Sequence, residues 1–113
     1  MIITRFAPSP TGHLHLGGAR TALFSYLFAK ANNGKFLLRF EDTDQERSKE
    51  EYVDSILNSL SWMNIKLDSD PVYQSKKVAR HKELAIELYK KGFAYACDCS
   101  EETLTKMREE QIA

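Results

Sequence analysis

Apolar positions change their spacing several times along the chain, and each change marks an element. Met1 to Phe6 is a short apolar run holding one arginine, which reads as a buried strand followed by turn residues. From about His15 the spacing turns helical. Lys35 to Glu41 reads as a second strand, and parallel pairing with the first brings its carboxyl end beside the first turn. Ser48-Lys49-Glu50-Glu51 is a capping box, and Val53, Ile56, Leu57 and Leu60 behind it share one helical face as core scaffolding. After Pro71, Ser75 is expected to cap a helix whose stripe holds His81, Leu84, Ala85 and Leu88, with Gly92 as its stop and His81 packed. Phe93 to Ala96 is the third strand candidate, and Ser100 is expected to cap a last helix through Leu104 and Met107. Trp62, Tyr52 and Tyr89 lie in helical patterns, so core or ridge packing is expected for each. Alternating strands and helices predict an α/β fold with parallel strands and crossover helices.

The connection from Arg5 to Gly18 is the chemically loaded one. Pro8 and Pro10 fix φ and bias the preceding residues toward extended geometry, while Gly12, Gly17 and Gly18 allow close approach of backbone to a ligand. Such a turn aims backbone N–H groups and the positive end of a helix dipole at the carboxyl end of the strand, which suits phosphate. On turn chemistry alone an ordinary βα connection is equally open. The run is neither a Gly-x-Gly-x-x-Gly fingerprint nor a Walker A loop, because no Gly-Lys-Ser/Thr is present. His15 taken singly reads as an N-terminal helix residue, packed or facing solvent, and His13 as a loop residue.

Arg5 inside an apolar strand calls for an anionic partner, and Glu41 is the candidate. Charge logic favours a buried Arg–Glu pair; the functional alternative is a pair left to grip a zwitterion, Arg5 on a carboxylate and Glu41 on an ammonium. Glu41-Asp42-Thr43-Asp44 reads as a turn in preference to a Mg²⁺-binding carboxylate cluster. Cys97 and Cys99, one residue apart and without further cysteines, do not bridge each other without strain and support no disulfide framework. They are free thiols or half of a four-ligand zinc site.

Length and charge narrow the class. The chain has 113 residues, 42% of them hydrophobic, with no repeat or low-complexity tract, which bounds it to one small soluble domain at most. Sixteen Lys+Arg balance sixteen Asp+Glu, so any contact with nucleic acid is local. No apolar run approaches the roughly 20 residues of a membrane span, and Arg5 with the prolines spoils any signal-peptide core, so a cytoplasmic location is the default expectation. Three candidate strands make half of a doubly wound sheet, and the last helix pattern runs uncapped to Ala113, so the chain reads as a piece of a longer protein.

Ala7-Pro8-Ser9-Pro10-Thr11-Gly12, His15-Leu16-Gly17-Gly18-Ala19-Arg20-Thr21-Ala22-Leu23 and Leu38-Arg39-Phe40-Glu41-Asp42-Thr43-Asp44 together resemble the start of bacterial-type glutamyl-tRNA synthetases, and the similarity covers essentially the whole chain. The resemblance implies the N-terminal half of a class I synthetase Rossmann-like nucleotide-binding fold over 1–113, with 97–113 opening an inserted, acceptor-binding subdomain. It implies ATP-dependent ligation of L-glutamate to tRNA(Glu) through a glutamyl adenylate, with Mg²⁺ accompanying ATP and neither membrane nor DNA as partner. By the same resemblance Pro8, Thr11, Gly12, His15, Leu16, Gly17 and Gly18 hold ATP, with His15 catalytic, and Arg5, Ala7, Ser9 and Glu41 bind glutamate. Gly18 stands where the generic class I motif has its second histidine, which leaves His15 as the only motif imidazole. Bringing a carboxylate onto the α-phosphate joins two anions, and a preorganised donor such as a His15 N–H offsets their repulsion. Many relatives bind Zn²⁺ with such a C-x-C, and Cys97 and Cys99 would do so only with ligands further downstream. With no Lys-Met-Ser-Lys-Ser type loop, second half-fold or anticodon region visible, the chain alone is expected to be inactive.

Three alternatives bear on this resemblance. The shorter glutamyl-Q tRNA(Asp) synthetases share the Pro8-Ser9-Pro10 and C-x-C regions, but Gly17-Gly18-Ala19-Arg20-Thr21 and Asp44-Gln45-Glu46-Arg47-Ser48 fit the longer enzyme better. Glutaminyl enzymes differ over Ala7 to Gly12. A non-catalytic nucleotide-binding domain is the third.

Overall fold

The first apolar run forms a strand over Ile3–Phe6, β1, and the turn after it leads into a helix over Leu16–Ala31, α1. β2 (Lys35–Phe40), α2 (Glu50–Trp62) and β3 (Val72–Tyr73) follow, then a single 3₁₀ turn at Ser75–Lys77, α3 (Val78–Lys90) and α4 (Glu101–Ile112). The computed structural model describes residues 1–112. They fall into two compact units, one of Met1–Val78 and one beginning at Ala79.

In the first unit the strands lie in the order β1-β2-β3, all parallel, with Ile3 beside Lys35, Phe6 beside Leu38, Arg39 beside Val72 and Phe40 beside Tyr73. The order advances the same way at both crossovers, so right-handed connections put α1 and α2 on one face of the sheet. The alternation of β2 decides what they cover. Phe36, Leu38 and Phe40 are fully buried and form one core with Phe6, Ala22 and Ala29 of α1, and Ile56 and Leu60 of α2. Phe36 meets Tyr26 edge-on at 5.6 Å, and Phe40 stacks on Tyr73 at 5.2 Å. The intervening residues, Leu37 and Arg39, lie on the opposite face, as do exposed Ile3 and Arg5 of β1.

The return from α1 into β2 is tight. Gly34 sits where a Cβ would lie 2.3 Å from the Ile2 carbonyl oxygen, and its own N–H donates to Ala29 O, so glycine is required by contact with backbone. Asp68, beyond α2, clamps this corner: its carboxylate accepts from Lys30 Nζ at 2.7 Å and from the Phe36 amide at 2.7 Å. The Lys30 ammonium and then the Phe36 amide hold the Asp68 carboxyl below the usual carboxylate range. Asp42 accepts from the Ser75 amide at 2.8 Å and from its hydroxyl at 2.5 Å, and although burial acts to raise it, these bonds outweigh burial and hold it down.

Both carboxyls are lower in the fold than in the unfolded chain, so their contribution to stability is complete above about pH 4, where an unfolded aspartate is ionised, and is lost as the pH falls through the depressed folded values. Urea midpoints are therefore expected to be insensitive to these groups from pH 7 to 5 and to fall below pH 4. Asp68→Asn is expected to be less stable at pH 7 and to lose less on acidification; an unchanged acid dependence would assign the pH response to other groups.

Several expected features are replaced. Phe93–Ala96 is not a strand; the third strand is the two-residue β3, fixed by pairing with β2 and by the Gln74 amide donating to Phe40 O. The chain at Phe93 is instead the end of a Schellman motif, with Gly92 at φ 76° and the Phe93 amide bonded to Leu88 O, so the helix stop at Gly92 stands. The capping box does not form. Lys49 is the N-cap of α2 without a side-chain bond, and the Ser48 hydroxyl is buried without a partner, because the Ser48 and Lys49 amides are already drawn to Asp44 O and Pro10 O. Ser75 lies inside the 3₁₀ turn and is held by Asp42 rather than capping a helix itself. Trp62 is 85% exposed, Tyr89 and His81 are also exposed, and only Tyr52 is half-buried, edge-on to His13. Ser100 caps α4 as expected, its hydroxyl accepting from the Thr103 amide.

Candidate functional site

The turn between β1 and α1 is anchored through the carbonyls of its two prolines. Pro8 O accepts from the Glu41 amide at 2.9 Å, just past β2, and Pro10 O accepts from the Lys49 amide at 3.1 Å, at the start of α2. Pro10 itself is fully buried. The turn therefore curves over the carboxyl ends of two adjacent parallel strands, where open α/β sheets place their ligands.

A cavity of about 370 Å³ opens there, lined by Pro8, Ser9, Thr11, Gly12, His15 and Gly18 among others. It gathers most of the predicted nucleotide residues. Leu16 is 86% exposed and lies instead on a broader groove between the start of α1 and the outer face of α2. Leu16 and Gly17 occupy the first two positions of α1, so what they offer is backbone N–H without an intrahelical acceptor. A Cβ on Gly17 would stand 3.0 Å from the His15 ring, which ties glycine there to the placement of the imidazole.

His15 is the N-cap of α1, its Nδ1 accepting from the Gly18 amide at 3.3 Å. A neutral imidazole that accepts at Nδ1 carries its proton on Nε2, so the second nitrogen remains a donor. One donor side chain, two unpaired amides and the positive end of a 16-residue helix dipole thus converge, an arrangement suited to an anion. His13 bonds through Nδ1 to Ser55 Oγ at 2.9 Å, which fastens the turn to α2.

The expected Arg5–Glu41 pair is not formed. Arg5 lies on the sheet face opposite the helices and is exposed, so it needs no buried counter-ion, and no ion pair holds it among the described residues. Glu41 pairs with Arg39, two positions earlier on the same face, with the side chains 36% and 32% exposed. Arg39 Nε is shielded from solvent and has no hydrogen-bond partner among the described residues. Reasoning from the sequence passed over Arg39, although a lone cation between Leu38 and Phe40 in an alternating strand marked it. Continuing the β1–β2 register sets Ala7 beside Arg39, so Arg5, Ala7, Arg39 and Glu41 form one patch bearing one excess positive charge.

The neighbouring carboxylates are engaged elsewhere, Asp42 by Ser75 and Asp44 by Arg47 Nε at 2.6 Å. Cys97 and Cys99 are free and exposed, with the Cys97 thiol pulled below its ordinary value by hydrogen bonds from the Cys99 backbone and side chain. Among the described residues no three potential metal ligands come together, whereas a structural zinc takes four. Among the described residues no helix is long and apolar enough to cross a membrane.

Residues 1–113 match the family described as tRNA synthetases class I (E and Q), catalytic domain. The chain is 62% identical over 109 residues to glutamate–tRNA ligase 2 of Ehrlichia chaffeensis, covering 96% of this chain and 23% of that protein. It is 59% identical over 113 residues to the glutamate–tRNA ligase of Francisella tularensis subsp. novicida, covering all of this chain and 24% of the relative. A crystal structure of glutamate–tRNA synthetase from Elizabethkingia anophelis superposes with a TM-score of 0.67 at 32% identity, over 97% of this chain and 31% of that one. The chain thus spans about a quarter of the length of the curated relatives it matches.

Proposed function

The chain belongs to the class I tRNA synthetases (E and Q), catalytic domain, and from that premise we propose that it carries the nucleotide- and amino-acid-binding part of an enzyme that ligates L-glutamate to tRNA(Glu). ATP, accompanied by Mg²⁺, supplies the electrophilic phosphorus for a glutamyl adenylate. The observation that carries the reading is the cap of α1. His15 uses Nδ1 to hold the helix end and keeps Nε2–H for an incoming anion, beside the unpaired amides of Leu16 and Gly17. Pro8, Thr11, Gly12 and Gly18 shape the adjoining cavity.

In the same reading Arg5 takes a substrate carboxylate, Glu41 takes the ammonium, and Ala7 and Ser9 supply backbone and side-chain contacts at the strand end. Glu41 is already paired with Arg39, which leaves the Arg5 charge to favour an amino acid with a second carboxylate over its neutral amide. tRNA contact is local, since the chain has no net charge. Cys97 and Cys99 would hold Zn²⁺ together with ligands from elsewhere in a longer protein, and the location is the cytoplasm.

Exchanging the matching quarter of the Francisella ligase for this chain tests the assignment. The chimera is expected to charge tRNA with glutamate in an ATP-dependent manner. A folded chimera that binds tRNA yet charges nothing would overturn the reading.

A further inference from the structure

Arg39 and Glu41 sit two residues apart on the sheet face that the helices leave uncovered, at the carboxyl end of β2. Arg39 Nη2 donates to Glu41 Oε1, and neither side chain forms another ion pair among the described residues. Packing confines the guanidinium further: its Nε is shielded from solvent, and away from Glu41 the half-enclosed cation would have no counter-charge among the described residues. A fixed cation with one carboxylate oxygen in its grip dictates the orientation of that carboxylate. Glutamate side chains otherwise sample many rotamers, and ordering one costs free energy at each binding event.

We propose that Arg39 is a positioning residue for the amino-acid site: it holds Glu41 through Oε1 so that Oε2 is preset to accept from the substrate's ammonium. The proposal rests on the reading that Glu41 binds that ammonium. Arg39 does not touch the substrate; it acts through Glu41 alone. Its loss should therefore be felt by ligands that carry the ammonium and not by those that lack it.

Calorimetric titration of the chain with glutamyl-sulfamoyl-adenosine and with its desamino counterpart separates the possibilities. Arg39→Met is expected to weaken the amino compound about tenfold, the scale of one charge-assisted hydrogen bond, and to change the desamino compound by less than about twofold. Glu41→Gln is expected to do the same, and the double variant to be no worse than Glu41→Gln alone. Arg39→Lys, which keeps the charge but not the planar fork, is expected to fall between wild type and Arg39→Met, and it carries the test should Arg39→Met fail to fold. Equal losses for both compounds, or none, in a variant that melts like wild type would overturn the role of Arg39 while leaving the site reading intact. Failure of the wild-type chain to bind either compound would overturn the site reading and this proposal with it.

Discussion

His15→Ala in the chimeric ligase is expected to slow glutamylation about 100-fold, the range seen when one preorganised donor to a developing charge is removed. His15 has two separable duties. Its Nδ1 caps α1 by accepting from the Gly18 amide, and its Nε2 is free to donate. Alanine removes both, and the lost cap alone costs about 1 kcal/mol of helix stability. Asparagine is a good N-cap but lacks the reach of an imidazole, so His15→Asn is expected to melt like wild type and still to be slow. If His15→Asn charges tRNA at the wild-type rate, the imidazole serves only the helix, and the donor must be sought among the amides of Leu16 and Gly17.

Phe36→Ala is expected to cost about 3–5 kcal/mol, the penalty for emptying a fully buried aromatic site. Phe36 lies in the middle strand with no exposure, edge-on to Tyr26, between the helices and the sheet. A small domain has about 5–15 kcal/mol in all, so the variant would hold little of its stability. Leu37→Ala, one residue along and on the uncovered face, is the matched control and should cost far less. Urea unfolding at pH 7 measures both, and similar midpoints for the two would mean that the uncovered face is packed as tightly as the core.

What the sequence makes legible follows from how local the signal is. β1, α1, β2 and α2 were readable because each carries its own periodicity, and the Gly92 stop and Ser100 cap because their geometry depends on neighbours in sequence. β3 was not readable: two residues hold no period, and Val72 and Tyr73 are a strand only because β2 offers an edge. Phe93–Ala96 misled for the converse reason, having strand-forming residues without a partner strand. The capping box failed because backbone bonds from Ser48 and Lys49 to Asp44 and Pro10 override a local motif. At the site, the sequence pointed to the turn and to His15, yet it paired Glu41 with Arg5 across strands, whereas the side-chain alternation of a single strand gives it Arg39.

The register of the sheet also carries a cost in loop closure. Every residue of β1 pairs with one 32 positions later, as Ile3 with Lys35, so no part of the ladder can close as a local hairpin. α1 lies wholly within that gap and can form from neighbouring residues alone, whereas each strand pair must first bear the entropy of closing a long loop. The turn that carries His15 is held in the same way, by partners 33 and 39 positions along the chain, Glu41 on Pro8 O and Lys49 on Pro10 O, so its shape depends on long-range closure and not on its own residues alone.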